Sequence, residues 1–202
     1  DADRHDGVHR GPLHGVPVLV KDNIEAVGLP GTAGSLALAD RTVTSDSPVA
    51  ARLRGAGAVI VGSPNLSEWA NFRSSSSISG WSAVGGLTGN PWALDRSAGG
   101  SSSGSGAAVA AGLAPVAIGT ETNGSIPCPA ALNGVVGIKP TVGSVPTAGV
   151  VPISASQDVP GPLARSVRDA ALVLEVISGR GGLVDACRPD AARSLRVGVA
   201  SG

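Results

Sequence analysis

Residues 16–20 read V-P-V-L-V and stop abruptly at Lys21-Asp22. An apolar run that short, with no alternation of polar residues, belongs to a strand buried on both faces, with its polar groups gathered at the C-terminal edge. Similar runs recur at 59–61, 116–118 and 135–138, and helix-like segments separate them. Ser47-Pro48 supplies an N-cap and a first-turn proline, which predicts a helix through residue 58. Residues 65–71 predict a second, shorter helix, and the alanine-rich residues 107–114 a third. Residues 164–177 are amphipathic, with Val167, Ala171, Leu174 and Ile177 on one face and Gly179 as the stop. Residues 195–200 predict the beginning of another strand. Strands that alternate with helices in this way define an α/β chain.

The 202 residues suit one domain or a piece of a larger one. The chain starts at Asp1 and contains no methionine, so the expectation is a single domain over residues 1–202, incomplete at both ends. Fifteen basic residues balance fifteen acidic ones, which argues against nucleic acid or an anionic membrane as partner. No apolar run approaches the roughly 18 residues of a membrane helix. Cys128 and Cys187 form neither a CxxC pair nor a disulfide framework. The expectation is a cytoplasmic protein, with secretion left open by the missing start, and homo-oligomerisation is also left open. His5, His9 and His14 lie together at the start without a ligand cluster, so neither a metal nor another cofactor is expected.

Beyond residue 14 the chain has no histidine, which removes the usual base of a serine hydrolase. Lysine is nearly as scarce: only Lys21 and Lys139 occur, each beside an apolar segment. All four aromatic residues, Trp69, Phe72, Trp81 and Trp92, fall in or near the glycine- and serine-rich stretch 73–106. Linkers seldom carry tryptophan, which favours an ordered loop region near a site. The alternative is that these rings simply pack the core.

Three segments carry candidate chemistry: G-V-P-V-L-V-K-D-N-I at 15–24, G-G-S-S-S-G-S-G at 99–106, and G-T-E-T-N-G-S-I-P-C-P at 119–129. Residues 100–104 match a G-x-S-x-G nucleophile elbow in spelling, but no strand precedes them and no histidine follows. Residues 119–124 have phosphate-loop spacing without the lysine that should follow. Taken together, the three segments resemble the amidase-signature family, as do G-V-V-G-I-K-P-T at 134–141 and the stretch 151–170. The wording of 65–73, 77–83 and 119–126 is most similar to the bacterial peptide amidases of that family, which remove C-terminal amides from peptides.

The resemblance implies a mixed, twisted β-sheet covered by α-helices, present here in part. It implies an amidase acting through an acyl-enzyme on a small-molecule or peptide amide. Matched position by position, the catalytic lysine is Lys21, the bridging serine Ser101 and the nucleophile Ser125. The two serines stand 24 positions apart, the family's separation, which favours Ser101 over Ser102 or Ser103. A cis peptide bond before Ser101 is implied as well. Backbone N–H groups of Thr122, Asn123, Gly124 and Ser125 are the expected oxyanion hole, and Thr120 and Ser103 the expected hydrogen-bond partners behind the triad. Burial would lower the lysine pKa from about 10.4, so that Lys21 takes a proton from Ser101 and Ser101 one from Ser125.

Two positions depart from the family pattern. Asn123 replaces a common glycine, and Pro127 stands where many members carry an arginine, which makes the malonamidases poorer guides. Lys139 reads as structural. The alternatives are an amidotransferase A-type subunit that releases ammonia from glutamine, and a non-catalytic scaffold of the same fold.

Overall fold

A computed structural model describes residues 5–194, 196 and 198. The strand expected over 195–200 rests on residues outside that set. The main sheet has five strands in the order β2-β1-β5-β7-β6. Strand β1 (Pro17–Val20) lies between β2 (Val59–Gly62) and β5 (Val116–Glu121), parallel to both. Strand β7 (Val159–Ala164) runs antiparallel to β5 on one side and to β6 (Val136–Gly137) on the other. A separate hairpin pairs β3 (Trp81–Ser82) with β4 (Gly86–Leu87). The architecture is mixed α/β.

Helix α1 (Pro48–Gly55) is capped by Ser47, whose hydroxyl accepts the Ala50 N–H at 3.2 Å. It ends at Gly55, three residues before the expected end. Helix α4 (Val167–Ser178) is capped by Ser166 and closed by Gly179 at φ 70°. Val18, Val20, Val116, Ile118 and Ala164 meet Val49 and Leu53 of α1 and Ala170, Val173 and Ile177 of α4 in the main core. Burying these side chains supplies most of the stabilisation, at about 25 cal/mol for each Å² of apolar surface withdrawn from water. Leu163 joins a smaller cluster with Ile126 and with Ala130 of α3 (Pro127–Asn133).

Several expected boundaries moved. Helix α4 begins at Val167, because residue 164 belongs to β7, which the sequence pattern does not foretell. Val167 is 59% exposed, and Ala170 and Val173 take its place on the buried face. Residues 65–71 do not form an α-helix: Glu68–Asn71 is a 3-10 turn in which Trp69 and Ala70 adopt left-handed backbone angles. The strand expected at 135–138 shrinks to two residues, and β5 extends to Glu121.

The serine- and glycine-rich tract is no linker. Helix α2 (Ser103–Ala110) begins inside it, earlier than the alanines suggested and ending before residue 114, and its first seven residues are buried. Small side chains are needed there because the backbones touch: a Cβ on Gly104 would lie 2.5 Å from the Asn65 carbonyl oxygen. A short helix, Leu183–Ala186 (α5), follows α4.

Candidate active site

Lys21 continues the β1–β5 ladder by donating its N–H to the Ile118 carbonyl at 3.1 Å. It sits at the C-terminal ends of two parallel strands, the position where open α/β sheets generally hold their sites. Its side chain is completely buried. Nζ lies 2.9 Å from Ser101 Oγ, 3.0 Å from Ser102 Oγ, 2.9 Å from Thr120 Oγ1 and 3.3 Å from the Thr120 carbonyl oxygen. None of these partners is a carboxylate. Burial therefore dominates and lowers the Lys21 pKa from 10.5 to about 7, while the more distant Glu121 and Asp158 pull it upward.

The two serines differ in what they can do for the lysine. Ser102 donates its hydroxyl hydrogen to the Thr120 carbonyl at 3.1 Å and accepts the Thr120 N–H at 3.2 Å, so it is committed. Ser101 has no other acceptor for its hydroxyl hydrogen among the described residues. Its hydroxyl is free to point at the lone pair of a neutral Nζ. The Gly100–Ser101 peptide bond is cis. Ser101 is anchored through its carbonyl, which accepts the Ser67 N–H at 3.0 Å.

Ser125 is brought alongside by its backbone: the Ser102 N–H donates to the Ser125 carbonyl at 3.2 Å. Ser125 is 8% exposed, and its Oγ makes no hydrogen bond among the described residues. The turn that carries it is clamped by Glu121. One carboxylate oxygen accepts the Gly124 N–H at 2.9 Å, and the other accepts the Ile126 N–H at 2.7 Å. Gly124 thus differs from the expectation for an oxyanion donor, since its N–H is engaged. The N–H groups of Thr122, Asn123 and Ser125 make no hydrogen bond to the described residues. Thr122 Oγ1 donates to Asp158 at 2.5 Å, and the other oxygen of Asp158 holds the N–H groups of Ile153 and Ser154.

Thr120 touches Lys21, as described. Ser103 does not: its Oγ accepts from Thr88 Oγ1 at 3.2 Å, away from the lysine. Sequence reasoning passed over Ser102, Glu121, Asp158 and Asn23. Asn23 donates to Thr120 Oγ1 at 3.0 Å. For Glu121 a signal existed, an acid at the end of a buried strand four residues before the candidate nucleophile. Ser102 and Asp158 carried none, because only the fold shows which way their side chains turn. Asp22 serves the neighbouring loop, accepting from the Thr32 N–H at 3.1 Å, from Thr32 Oγ1 and from Ser63 Oγ at 3.1 Å. Among the described residues no group of three or more His, Cys, Asp or Glu converges as a metal site requires. None of their helices is long and apolar enough to cross a membrane. The aromatic rings do not pack the core: none of the four is buried.

Sequence and fold are similar to those of one family. The amidase family model matches residues 1–199, and the chain belongs to the amidase family. It is 45% identical to a putative amidase of Arthroderma benhamiae, covering 98% of this chain and 36% of that relative. It is 47% identical to the A-type subunit of the glutamyl-tRNA(Gln) amidotransferase of Salinispora tropica, over 98% of this chain and 40% of that one. The structure of the native peptide amidase from Stenotrophomonas maltophilia superposes with a TM-score of 0.86 at 56% identity, covering 98% of this chain and 39% of that one. The chain therefore spans about two-fifths of the length of these relatives.

Proposed function

We propose that the protein is an amidase that hydrolyses carboxamide C–N bonds, with Ser125 as nucleophile, Ser101 as relay and Lys21 as base. The observation that carries this reading is a fully buried lysine, with a pKa near 7, hydrogen-bonded to a serine whose own hydrogen is uncommitted. At pH 7 about half of such lysines are neutral and able to accept a proton.

In the proposed cycle, Ser125 Oγ turns toward Ser101 and attacks the amide carbon as its proton passes to Ser101, whose own proton passes to Lys21. The negative charge that develops on the amide oxygen falls to the unengaged N–H groups of Thr122, Asn123 and Ser125. Each such donor is worth about 2.7–4 kcal/mol in other serine enzymes. Collapse breaks the C–N bond, and the departing nitrogen takes its proton from Ser101, which Lys21 replenishes. Without that proton the leaving group would be an amide anion, too basic to depart. Water then attacks the acyl-Ser125 ester as its proton passes through Ser101 to Lys21, and the relay returns a proton to Ser125 Oγ as the acid leaves.

A peptide carboxamide is the first substrate to try, since a peptide amidase is the relative with 56% identity. Glutamine is the second, because a component of a glutamyl-tRNA(Gln) amidotransferase is 47% identical over nearly the whole chain. Two free cysteines, Cys128 and Cys187, fit a reducing compartment such as the cytoplasm.

The test is to treat the full-length protein with a fluorophosphonate and find the adduct by peptide mass mapping, with Lys21→Ala and Ser101→Ala in parallel. Labelling at Ser125 that collapses in both variants is expected. Labelling at Ser102, or labelling indifferent to Lys21, would sink the mechanism. Glutamine turnover that appears only with partner proteins would move the protein to the amidotransferase branch.

A further inference from the structure

Beside the Lys21 cluster lies a cavity of about 310 Å³, lined by Asn23, Ala33, Trp69, Phe72, Val151 and Ile153 among others. That volume falls at the lower end of the range for small-molecule sites. None of its lining side chains is charged. Its walls tie it to the proposed catalytic turn. The Ile153 N–H is held by Asp158, which also accepts from Thr122, and the Val151 N–H donates to the Asn23 carbonyl at 2.9 Å. Trp69 and Ala70 of the lining run on into Asn71, and these three consecutive non-glycine residues have φ of 49°, 52° and 74°. Left-handed backbone at three such residues in a row is held only where surrounding contacts enforce it, as it often is around ligand sites. The Trp69 N–H is pinned to the Ala33 carbonyl at 3.0 Å.

The informative atom is Asn23 Oδ1. Asn23 is 4% exposed, and its Nδ2 is spent on Thr120 Oγ1. Oδ1 is buried and has no hydrogen-bond partner. Buried amide oxygens are nearly always paired, so an unpaired one on a residue that lines a cavity points to a ligand that supplies the missing donor. A primary carboxamide loses only ammonia, so everything else a site can recognise in such a substrate lies on the acyl side.

We infer that this cavity is the subsite for the acyl-side residue of the substrate, taking an uncharged apolar or aromatic side chain against Trp69, Phe72 and Ile153, while Asn23 Oδ1 accepts a hydrogen bond from that residue's α-nitrogen N–H. The acyl-side assignment rests on the amidase reading above. The hydrogen bond and the apolar preference rest on the cavity itself. Asn23 is then a specificity-determining residue, and its bond to Thr120 links substrate occupancy to the lysine's surroundings.

The experiment measures binding to the full-length protein carrying Ser125→Ala, so that nothing turns over. The probes are N-acetyl-L-phenylalaninamide and its analogue methylated on the α-nitrogen, titrated by calorimetry. The N–H probe is expected to bind about tenfold more tightly, the scale of one buried hydrogen bond. Adding Asn23→Ala should abolish that preference. N-acetyl-L-lysinamide and the α-amide of N-acetyl-L-aspartic acid should bind at least about tenfold more weakly than the phenylalanine probe, since a charge there would lose its water without gaining a partner. Equal affinity for the two phenylalanine probes overturns the inference without any Asn23 variant having to fold, and a preference that survives Asn23→Ala overturns it too. Turnover assays on the unsubstituted protein separate the two claims. Turnover without discrimination removes the subsite and spares the amidase. Discrimination without turnover of any amide removes the amidase reading and, with it, the acyl-side assignment.

Discussion

Replacing Lys21 by methionine should make the protein more stable and inactive at once. Methionine matches the length of the lysine stem and carries no charge to desolvate. A lysine whose pKa falls from 10.5 in the unfolded chain to about 7 in the folded one destabilises the fold, when both states are protonated, by about 5 kcal/mol at 1.36 kcal/mol per pH unit. Against this, the substitution removes the donor to Ser101, Ser102 and Thr120, at about 1 kcal/mol net for each bond. Ser102 and Thr120 keep other partners, so the expected gain at pH 7 is about 1–3 kcal/mol. The sign has a pH signature. Between pH 7 and 10.5 the unfolded chain holds a proton on Lys21 that the folded chain has released, so wild-type stability rises with pH across that window and the penalty is constant below it. The advantage of Lys21→Met should therefore shrink by about 2 kcal/mol between pH 7 and pH 9 and hardly change between pH 6 and pH 7. Urea unfolding of the two proteins at these pH values measures it, since other titrating groups cancel in the difference. An advantage that stays constant from pH 7 to pH 9 would mean that Lys21 does not release its proton in that window, and the proposed base would be lost.

The same pKa predicts that kcat/KM for an amide rises with pH through an acid limb near 7, read from a pH–rate profile. In Glu121→Gln that limb should move to lower pH, because the carboxylate charge that favours protonated Lys21 is gone; an unmoved limb would show that Glu121 acts only on the turn. Ser101→Ala should lower kcat by about 10²–10⁴-fold, the contribution of a positioned proton-transfer group, with KM for the amide little changed. Gly161→Ala should destabilise by about 2 kcal/mol or more in urea unfolding, because its Cβ would lie 2.2 Å from the Ile138 carbonyl oxygen and 2.9 Å from Ile126 Cδ1. Unchanged stability there would mean that the β6–β7 contact is looser than described.

The parts of this molecule that could be read from the sequence are those where one local signal had one physical meaning. The run V-P-V-L-V could be little other than a buried strand, and a lysine directly after it could hardly be a solvated surface charge. Ser47 and Gly179 bracket helices through bonds and backbone angles that belong to those residue types. The run of three serines was harder, because composition cannot rank Ser101, Ser102 and Ser103. What separates them is direction. Ser102 turns into β5 and is consumed by Thr120, Ser103 turns toward Thr88 and away from the lysine, and of the three only Ser101 meets Lys21 with its hydrogen uncommitted. The likeness to a family gave the order of these residues without giving that reason.

Strand β7 was illegible for a specific reason. Its sequence, V-P-G-P-L-A, holds two prolines and a glycine, which argue against an interior strand. Yet β7 is interior, between β5 and β6. Pro160 and Pro162 are two residues apart, so their nitrogens face the same neighbour, and the Pro162 carbonyl accepts the Ile138 N–H on the β6 side. The missing N–H groups therefore fall toward β6, which pairs with β7 only at Leu163 and Ala164. On the β5 side the donors of Val159, Gly161 and Leu163 are intact, and the six-residue ladder from Val116↔Ala164 to Glu121↔Val159 is complete. Gly161, between the prolines, is where Ile138 and Ile126 press closest. A strand that pairs fully on one face of its ladder and sparsely on the other can carry prolines at every second position. It holds β5 in place, and with it Thr120, Glu121 and the turn that presents Ser125.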